Sequence, residues 1–491
     1  KIYNIPVLYF PKFFHPDPSV KRQSGLLLPQ LNNSNNLGSS ILLPYYHVIS
    51  NNKDITINSS VFDSDITMIQ NEYRQVNKNS SLFMDIGFTE GYNSSTSNKK
   101  NSRSHLFANF ESDLEFEDFI NSSLSVSVQK VSNDTYLKIF DGNLIKNKVT
   151  PSNYDVLESE AKLVLNHENY NFSTGVQSFE NLKLPNSDRY QFILPYYDFD
   201  KRIFENFENG FINFSSRGSN ELNNTNNLKT KLINDINFQS LNYISNLGFN
   251  NNFRINLKNL NTVGKNDTNY KSSPQVELMS IFEYNSSLPL IKETTNNINY
   301  LTPKVSLRFN PGDMKNSNDL DRNINTENIF DLNRLGLDDS FEQGKSLTLG
   351  LDYKKTNLEN INKFFDIKIA SVIRNKDENF IPNSSGINKK NPNIYGSLTN
   401  SFSEFISIDY NFIMDNDLNT LEYNAFNTSL DYKNFSTKFN YIEENNNFGD
   451  TNIIENETRI KLSDKNFLSF NTRRNRRIDL TEYYNLVYEY K

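Results

Sequence analysis

Apolar positions in this chain recur at every second residue and rarely at the three-and-four spacing of a helix. Ile55 and Ile57 alternate with Asp54, Thr56 and Asn58; Leu82, Met84, Ile86 and Phe88 alternate with Phe83, Asp85 and Gly87; Leu124, Val126 and Val128 oppose Ser123, Ser125 and Ser127. Far downstream, Val305, Leu307 and Phe309 stand against Lys304, Ser306 and Arg308, and Leu347, Leu349, Leu351 and Tyr353 against Ser346, Thr348, Gly350 and Asp352. Ile406 to Met414 and Tyr484 to Tyr490 repeat the pattern. Successive strand side chains point to opposite faces, so each segment predicts a strand with one apolar face.

Asn-rich stretches separate these segments, among them Asn93 to Ser104, Ser219 to Asn227 and Asn383 to Asn393, and they read as solvated loops. At about ten residues per strand and a similar number per connection, the chain accommodates roughly twenty-odd strands. An open sheet of that size leaves unpaired edges, which cost several kcal/mol per group in lipid, so closure is the expected answer. The predicted fold is all-β: a large antiparallel transmembrane barrel.

Composition changes the picture little. A hydrophobic fraction of 36% suits a soluble chain equally well, but a barrel whose lumen is polar also hides from such averages. No run approaches the roughly 18 to 20 apolar residues of a membrane helix. The formal charge of -7 argues against nucleic acid as a partner. The chain has no cysteine, so no disulfide or Cys-bound metal is expected within it. The four histidines, His15, His47, His105 and His167, lack catalytic or metal-site spacing, and no cofactor or enzyme activity is expected. Asp319-Leu320-Asp321-Arg322-Asn323 opens like a calcium loop, but Ile324 stands where the turn needs glycine and Phe330 where a glutamate ligand belongs.

Two further features carry candidate chemistry. Pro29 closes the run SGLLLP and Pro44 interrupts SSILLPYY; neither can donate a ladder hydrogen bond, so each belongs at an edge, a bulge or a weak seam. The cluster Arg473, Arg474, Arg476 and Arg477 suits either a hairpin turn facing water or a set of phosphate contacts.

The stretch from Ile5 to Tyr46 holds P-V-x-Y-x-P, then H-P-D-P-x-V-K-R-x-S-G-x-L-x-P, then L-P-Y-Y, on residues Pro6 to Pro11, His15 to Pro29 and Leu43 to Tyr46. It resembles the junction between periplasmic domain and barrel in the LptD family of outer-membrane lipopolysaccharide-assembly proteins. Later landmarks are similar in family order: Arg189-Tyr190-Gln191, Leu194-Pro195-Tyr196-Tyr197, Leu288-Pro289-Leu290, Leu301-Thr302-Pro303-Lys304, Asn328-Ile329-Phe330, Asn333-Arg334, Gly336-Leu337-Asp338 and Glu342-Gln343-Gly344. Ile329 departs from the usual Leu. Leu480 to Tyr490 resembles the strand that leads into the family's Asn-Asp-Cys segment, so the last few strands are expected beyond Lys491.

The resemblance implies a barrel of about 26 strands, here residues 25–491, preceded in residues 1–24 by the end of a periplasmic β-jellyroll. It implies a translocon in the cell outer membrane that inserts lipopolysaccharide into the outer leaflet through a polar lumen and a lateral gate between first and last strands. Leu28, Pro29, Leu43 and Pro44 are the expected gate residues. The partners it implies are lipopolysaccharide, an LptE-type plug lipoprotein, periplasmic bridge proteins and outer-membrane lipids. The alternative reading is a large outer-membrane solute channel or nutrient receptor.

Overall fold

The computed structural model describes residues 22–34, 37–94, 97–206, 209–268 and 270–490. The expected jellyroll strand at Ile5 to Phe10, and the junction motif up to Lys21, lie outside the described residues. Within them the chain is all-β, with 27 strand segments assigned to a single antiparallel sheet and one five-residue helix, α1 (Tyr136–Phe140). Two compact units divide it: Lys1–Asp200 with Arg217–Leu232 and Thr262–Pro274, and Lys201–Ser216 with Ile233–Asn261 and Gln275–Lys491.

The first unit begins with β1 (Gly25–Leu26), β2 (Gln30–Ser34), β3 (Gly38–Ser50) and β4 (Lys53–Phe62). β1 and β2 both pair with β3, β3 pairs with β4, and nearest neighbours pair in chain order as far as the hairpin of Val156–Asn166 with Tyr170–Asn181. The second unit follows the same up-and-down rule from Gln275–Ser287 to Leu480–Tyr490. One short insert, Leu290–Glu293, pairs with the lower part of the Asn297–Asn310 strand.

The alternation is inside out relative to a soluble sheet. In β4 the polar residues Asp54, Thr56, Asn58 and Ser60 are buried, while Ile55 and Ile57 are only half-buried and Val61 is exposed. In the second unit Leu307 is 50% exposed and Phe309 40%, while Arg308 between them is 3% exposed. Burying ionic groups while leaving aliphatic ones outside is costly in water. It is the favourable arrangement where the outside is hydrocarbon and the inside is polar.

Connections alternate in length as they do in outer-membrane barrels, with short turns at one end of the strands and long loops at the other. In the first unit, two residues join β3 to β4, whereas the 132–155 loop joins two strands at the opposite end. In the second, the 404–405 and 433–434 turns are short and the 311–343 and 375–393 loops are long. These long loops pack on the buried face of the wall. Tyr136, Leu137, Phe140, Leu144 and Val149 of the 132–155 loop cover Phe62, Met68, Phe83 and Phe107. Met314, Ile324, Ile329, Leu335 and Leu337, with Ile381 and Ile387, cover Ala370, Val372, Tyr395 and Ile413.

Two of the Asn-rich stretches are not the solvated loops expected of them, and the third, Asn383 to Asn393, is a loop that is only partly solvated. Asn93 to Ser104 is mostly a paired hairpin, with Tyr92 opposite Asn101 and Ser94 opposite Ser97. Ser219 to Asn227 is largely strand, turning at Asn224 and Thr225, both at positive φ. In the 383–393 stretch, Ser385 and Ile387 are fully buried. Side chains that are polar on both faces mark contact with water or lumen, and a hairpin projecting beyond the apolar band satisfies that as well as a loop does. Ile324, at the would-be calcium turn, is buried in the apolar cluster.

Candidate functional site

The four residues expected at a gate come together in one seam. Leu26 faces Tyr45 in β1, which puts Leu27 opposite Pro44 and Leu28 opposite Leu43. Gln30 faces Leu42 in β2, which puts Pro29 opposite Leu43 as well. Two residues against one is a β-bulge, and the bulge holds Pro29. Pro44 is not at an edge, since β3 continues in register with β4, where Pro44 faces Asn58. Its missing donor is on the other side: Leu27 N–H donates to the Pro44 carbonyl at 2.9 Å, and an antiparallel pair of this kind normally exchanges two such bonds. Pro44 has no N–H to return.

The segment is pinned on either side of this thinned stretch. Val48 N–H donates to Ser24 Oγ at 2.9 Å, and Arg22 pairs with Asp54 at 3.0 Å, a carboxylate only 2% exposed that Arg74 also holds at 2.6 Å. At the other end Ser34 faces Gly38 across the hairpin. Arg22 and Ser24 belong to the K-R-x-S-G part of the junction motif, which by itself offers no role for either.

The densest polar site was visible in the sequence only as landmarks. Glu342 receives both Nε and Nη2 of Arg334, at 2.6 and 2.5 Å, together with Arg308 at 3.2 Å and Arg374. Glu283 receives Arg308 at 2.7 Å, Arg254 at 2.5 Å, Ser306 at 3.1 Å and Asn285 at 3.0 Å. Loop carbonyls take further donors: Phe330 and Asp331 accept from Arg254 and Arg308 at 2.7 and 2.5 Å, and Ile329 and Gln343 accept from Arg334 and Arg374 at 3.2 and 3.0 Å. Ile387 accepts from Arg374 at 2.5 Å, which binds the second loop to the same cluster.

Burial alone would raise the Glu342 carboxyl, but Arg334, Arg374 and Arg308 outweigh it and hold the group well below the usual carboxylate range. Burial, with help from Arg308, pushes the Arg334 guanidinium down to about 10, still charged at neutral pH. The ion pairs are therefore intact where the loops meet the wall. Phe330 also lies close enough to Gly350 that a Cβ there would sit 2.6 Å from its ring. The N-I-F, N-R and E-Q-G landmarks are thus the parts that fasten the 311–343 loop to the wall.

A second, smaller cluster fastens the 132–155 loop. Asp85 accepts from His105 Nε2 at 3.1 Å, Gln70 at 2.9 Å and Asn147 at 2.7 Å. With Nε2 donating, His105 Nδ1 accepts the Tyr136 hydroxyl at 2.9 Å, and burial holds that hydroxyl above its usual range so that it remains a donor. Gln70 exchanges two bonds with the backbone of Ile145. His105 is a satisfied structural histidine.

Arg473, Arg474, Arg476 and Arg477 take no part in either cluster. Arg473 and Arg474 end the Asn466–Asn475 strand, and Arg476 and Arg477 begin the turn to Leu480–Tyr490. Arg473 pairs with Glu455 at 2.9 Å and Glu482 at 2.7 Å, Arg474 with Asp479 at 2.5 Å, and Arg477 with Asp450. Among the described residues no group of side chains is arranged to hold a metal ion.

Residues 102–467 match the family described as LptD, LPS transport system D. Curated relatives that bear the name LPS-assembly protein LptD include the following three. That of Idiomarina loihiensis is 30% identical over 142 residues, covering 28% of this chain and 18% of its own length. That of Pseudoalteromonas translucida is 28% identical, covering 29% and 18%. That of Legionella pneumophila is 27% identical over 203 residues, covering 37% and 22%. The aligned segments thus span a fifth or so of these relatives. Among solved structures, the alcaligin outer membrane receptor FauA of Bordetella pertussis aligns over 92% of this chain and 74% of its own, at 8% identity and TM-score 0.33. BauA, the ferric preacinetobactin receptor of Acinetobacter baumannii, gives 92%, 76%, 8% and 0.31. With the family matched across most of its length, the chain belongs to the LptD family, LPS transport system D.

Proposed function

We propose that residues 25–491 form the wall of an outer-membrane translocon that inserts lipopolysaccharide into the outer leaflet, with residues 1–24 leading in from a periplasmic jellyroll. The observation that carries this reading is the inverted alternation, which puts a polar lining behind an apolar outer face, in a chain of the LptD family. Sugars and phosphates need the polar side and acyl chains the apolar one. A molecule carrying both leaves such a wall only through an opening between strands.

The seam of β1 and β2 with β3 is our candidate for the movable side of that opening. Leu28 and Leu43 present apolar surface outward there, and the ladder lacks one bond at Pro44 and is bulged at Pro29. One lost ladder bond is worth only about 1 kcal/mol net in water, so the prolines bias a gate without opening it. The 311–343 and 132–155 loops, fastened on the polar side, would restrict the lumen until cargo or a plug lipoprotein of the LptE kind arrives. Delivery would come from periplasmic bridge proteins. No bond of the cargo is made or broken.

Photo-crosslinking residues at Leu28, Pro29 and Leu43 of the full-length protein test the reading during energised export. Lipopolysaccharide adducts that vanish when energy is withdrawn are the expected result. Continued export with no adducts at any of the three would move the exit elsewhere.

A further inference from the structure

The strands that carry the Arg–Glu cluster on their buried face carry a concave apolar groove on the opposite face. Its volume is about 860 Å³, in the range of about 300–1,000 Å³ usual for ligand sites. Phe253, Phe282, Leu307, Phe309, Leu347 and Ile373 line it, and most of these are exposed. Ser240, Lys345 and Asn375 supply polar groups. Lys345 is exposed and makes no ion pair among the described residues; its ammonium lies 5.3 Å from the Phe309 ring.

We propose that this groove holds one membrane lipid in a defined pose, its acyl chains on the aromatic and aliphatic floor and its phosphate on Lys345. An ammonium on a lipid-facing surface is unfavourable without a counter-charge, most of all at the midplane and less toward the interface. The Phe309 ring offsets part of that through its face. A lipid phosphate is the anion within reach of a wall surrounded by bilayer, and it bonds a lysine with charge assistance. The groove is local: exposed aliphatic side chains farther along the same strands, such as Leu351 and Ile369, stand outside its lining. The inference rests on the membrane placement proposed above and goes beyond it, since the groove is remote in sequence from the proline seam.

These 491 residues contain no tryptophan, and any in the remainder of the full-length protein would be replaced by phenylalanine so that a single introduced indole reports without background. Phe282→Trp places it in the groove and Leu351→Trp on the outer face away from it. The full-length protein would be reconstituted in phosphatidylcholine vesicles containing increasing fractions of phosphatidylglycerol or phosphatidylcholine brominated on the acyl chains. Groove fluorescence is expected to reach half-quenching at about fivefold lower brominated phosphatidylglycerol than brominated phosphatidylcholine, the preference a single lysine provides toward anionic lipid. The Leu351→Trp curves should coincide for the two lipids, and adding Lys345→Glu should abolish the preference in the groove. Phe309→Trp serves as a second groove reporter if Phe282→Trp does not fold.

Coincident curves at groove and control would overturn the proposal, as would a preference that survives Lys345→Glu. Quenching absent from the groove but present at Leu351→Trp would overturn it in favour of a second copy of the chain filling the groove. Quenching absent from both positions would overturn the membrane placement itself.

Discussion

Leu27 N–H donates to the Pro44 carbonyl at 2.9 Å, and Pro44 has nothing to give back to Leu27. Pro44→Ala would supply the missing donor while β3 keeps its register with β4, where Pro44 already faces Asn58. The variant is expected to gain about 1 kcal/mol at the seam, and more where water is absent. Amide exchange at Leu27 and Leu28 should slow, and lipopolysaccharide delivery should slow with it. Slower exchange at the seam with unchanged delivery would leave Pro44 as strand punctuation.

Among the described residues, Glu342 is the single anion shared by Arg308, Arg334 and Arg374. Removing one partner of a buried ion pair leaves uncompensated charge, which costs about 3–5 kcal/mol. Glu342→Gln leaves four guanidinium groups, those of Arg254, Arg308, Arg334 and Arg374, against the remaining Glu283, so the 311–343 loop should detach while the strands persist. Limited proteolysis checks this: new cleavage within 311–343 is expected, with the strands still protected. A cleavage pattern identical to that of the parent would mean that the apolar cluster around Ile324 and Ile329 suffices to hold the loop.

The same carboxylate sets a pH dependence. Glu342 has its folded-state pKa depressed below the ordinary value of 4.5. Its contribution is therefore complete above that value and erodes as the pH falls toward the folded-state one. Opening of the 311–343 loop, followed by hydrogen exchange corrected for intrinsic rates, should be constant from pH 7 to 5 and become easier below the ordinary carboxylate range. In Glu342→Gln this acid limb should be absent. An acid limb that persists in the variant would assign it to another group.

Gly87 lies beneath His105, and a Cβ there would stand 2.2 Å from the imidazole. Gly87→Ala should push His105 off Asp85 and Tyr136 and so loosen the 132–155 loop, by about 1–3 kcal/mol for the buried bonds left unmade. Proteolysis would then appear within 132–155 and not within 311–343, because the two loops are fastened by separate sets of residues. Parallel loosening of both would mean that the loops open as one.

Much of this was legible beforehand. The period of two is a local property, and it located strands such as Lys53–Phe62 and Gly344–Asn357 directly. The prolines declared their missing donors, although only the register revealed that Pro29, Leu43 and Pro44 meet. The Asn-rich stretches at 93–104 and 219–227 misled because polarity reports the surroundings of a side chain and not the pairing of its backbone. The Arg–Glu cluster was hidden for a different reason. Glu283, Arg308, Glu342 and Arg374 are distant in sequence, and Arg308 reads as an ordinary member of a polar strand face. The landmark residues around Arg334 were evident as a pattern, but their function as fasteners depends on a loop folding back onto the wall, which no local spacing encodes.

Arg473 bridges Glu455 and Glu482 from neighbouring strands, and all three side chains are about a third exposed. Exposed pairs are typically worth about 0–1 kcal/mol, so Arg473→Ala should leave stability nearly unchanged. Arg474 and Arg477, still more open and paired with Asp479 and Asp450, should behave alike. These pairs also decide how the cluster can meet cargo. An arginine already neutralised by a carboxylate gains little from a phosphate unless that carboxylate is displaced. Combining Asp450→Asn with Asp479→Asn should therefore strengthen retention of phosphorylated lipopolysaccharide, with a steep salt dependence, if the hairpin contacts phosphate. Unaltered retention at low salt would leave the cluster as a hairpin turn whose charges are satisfied by their own neighbours.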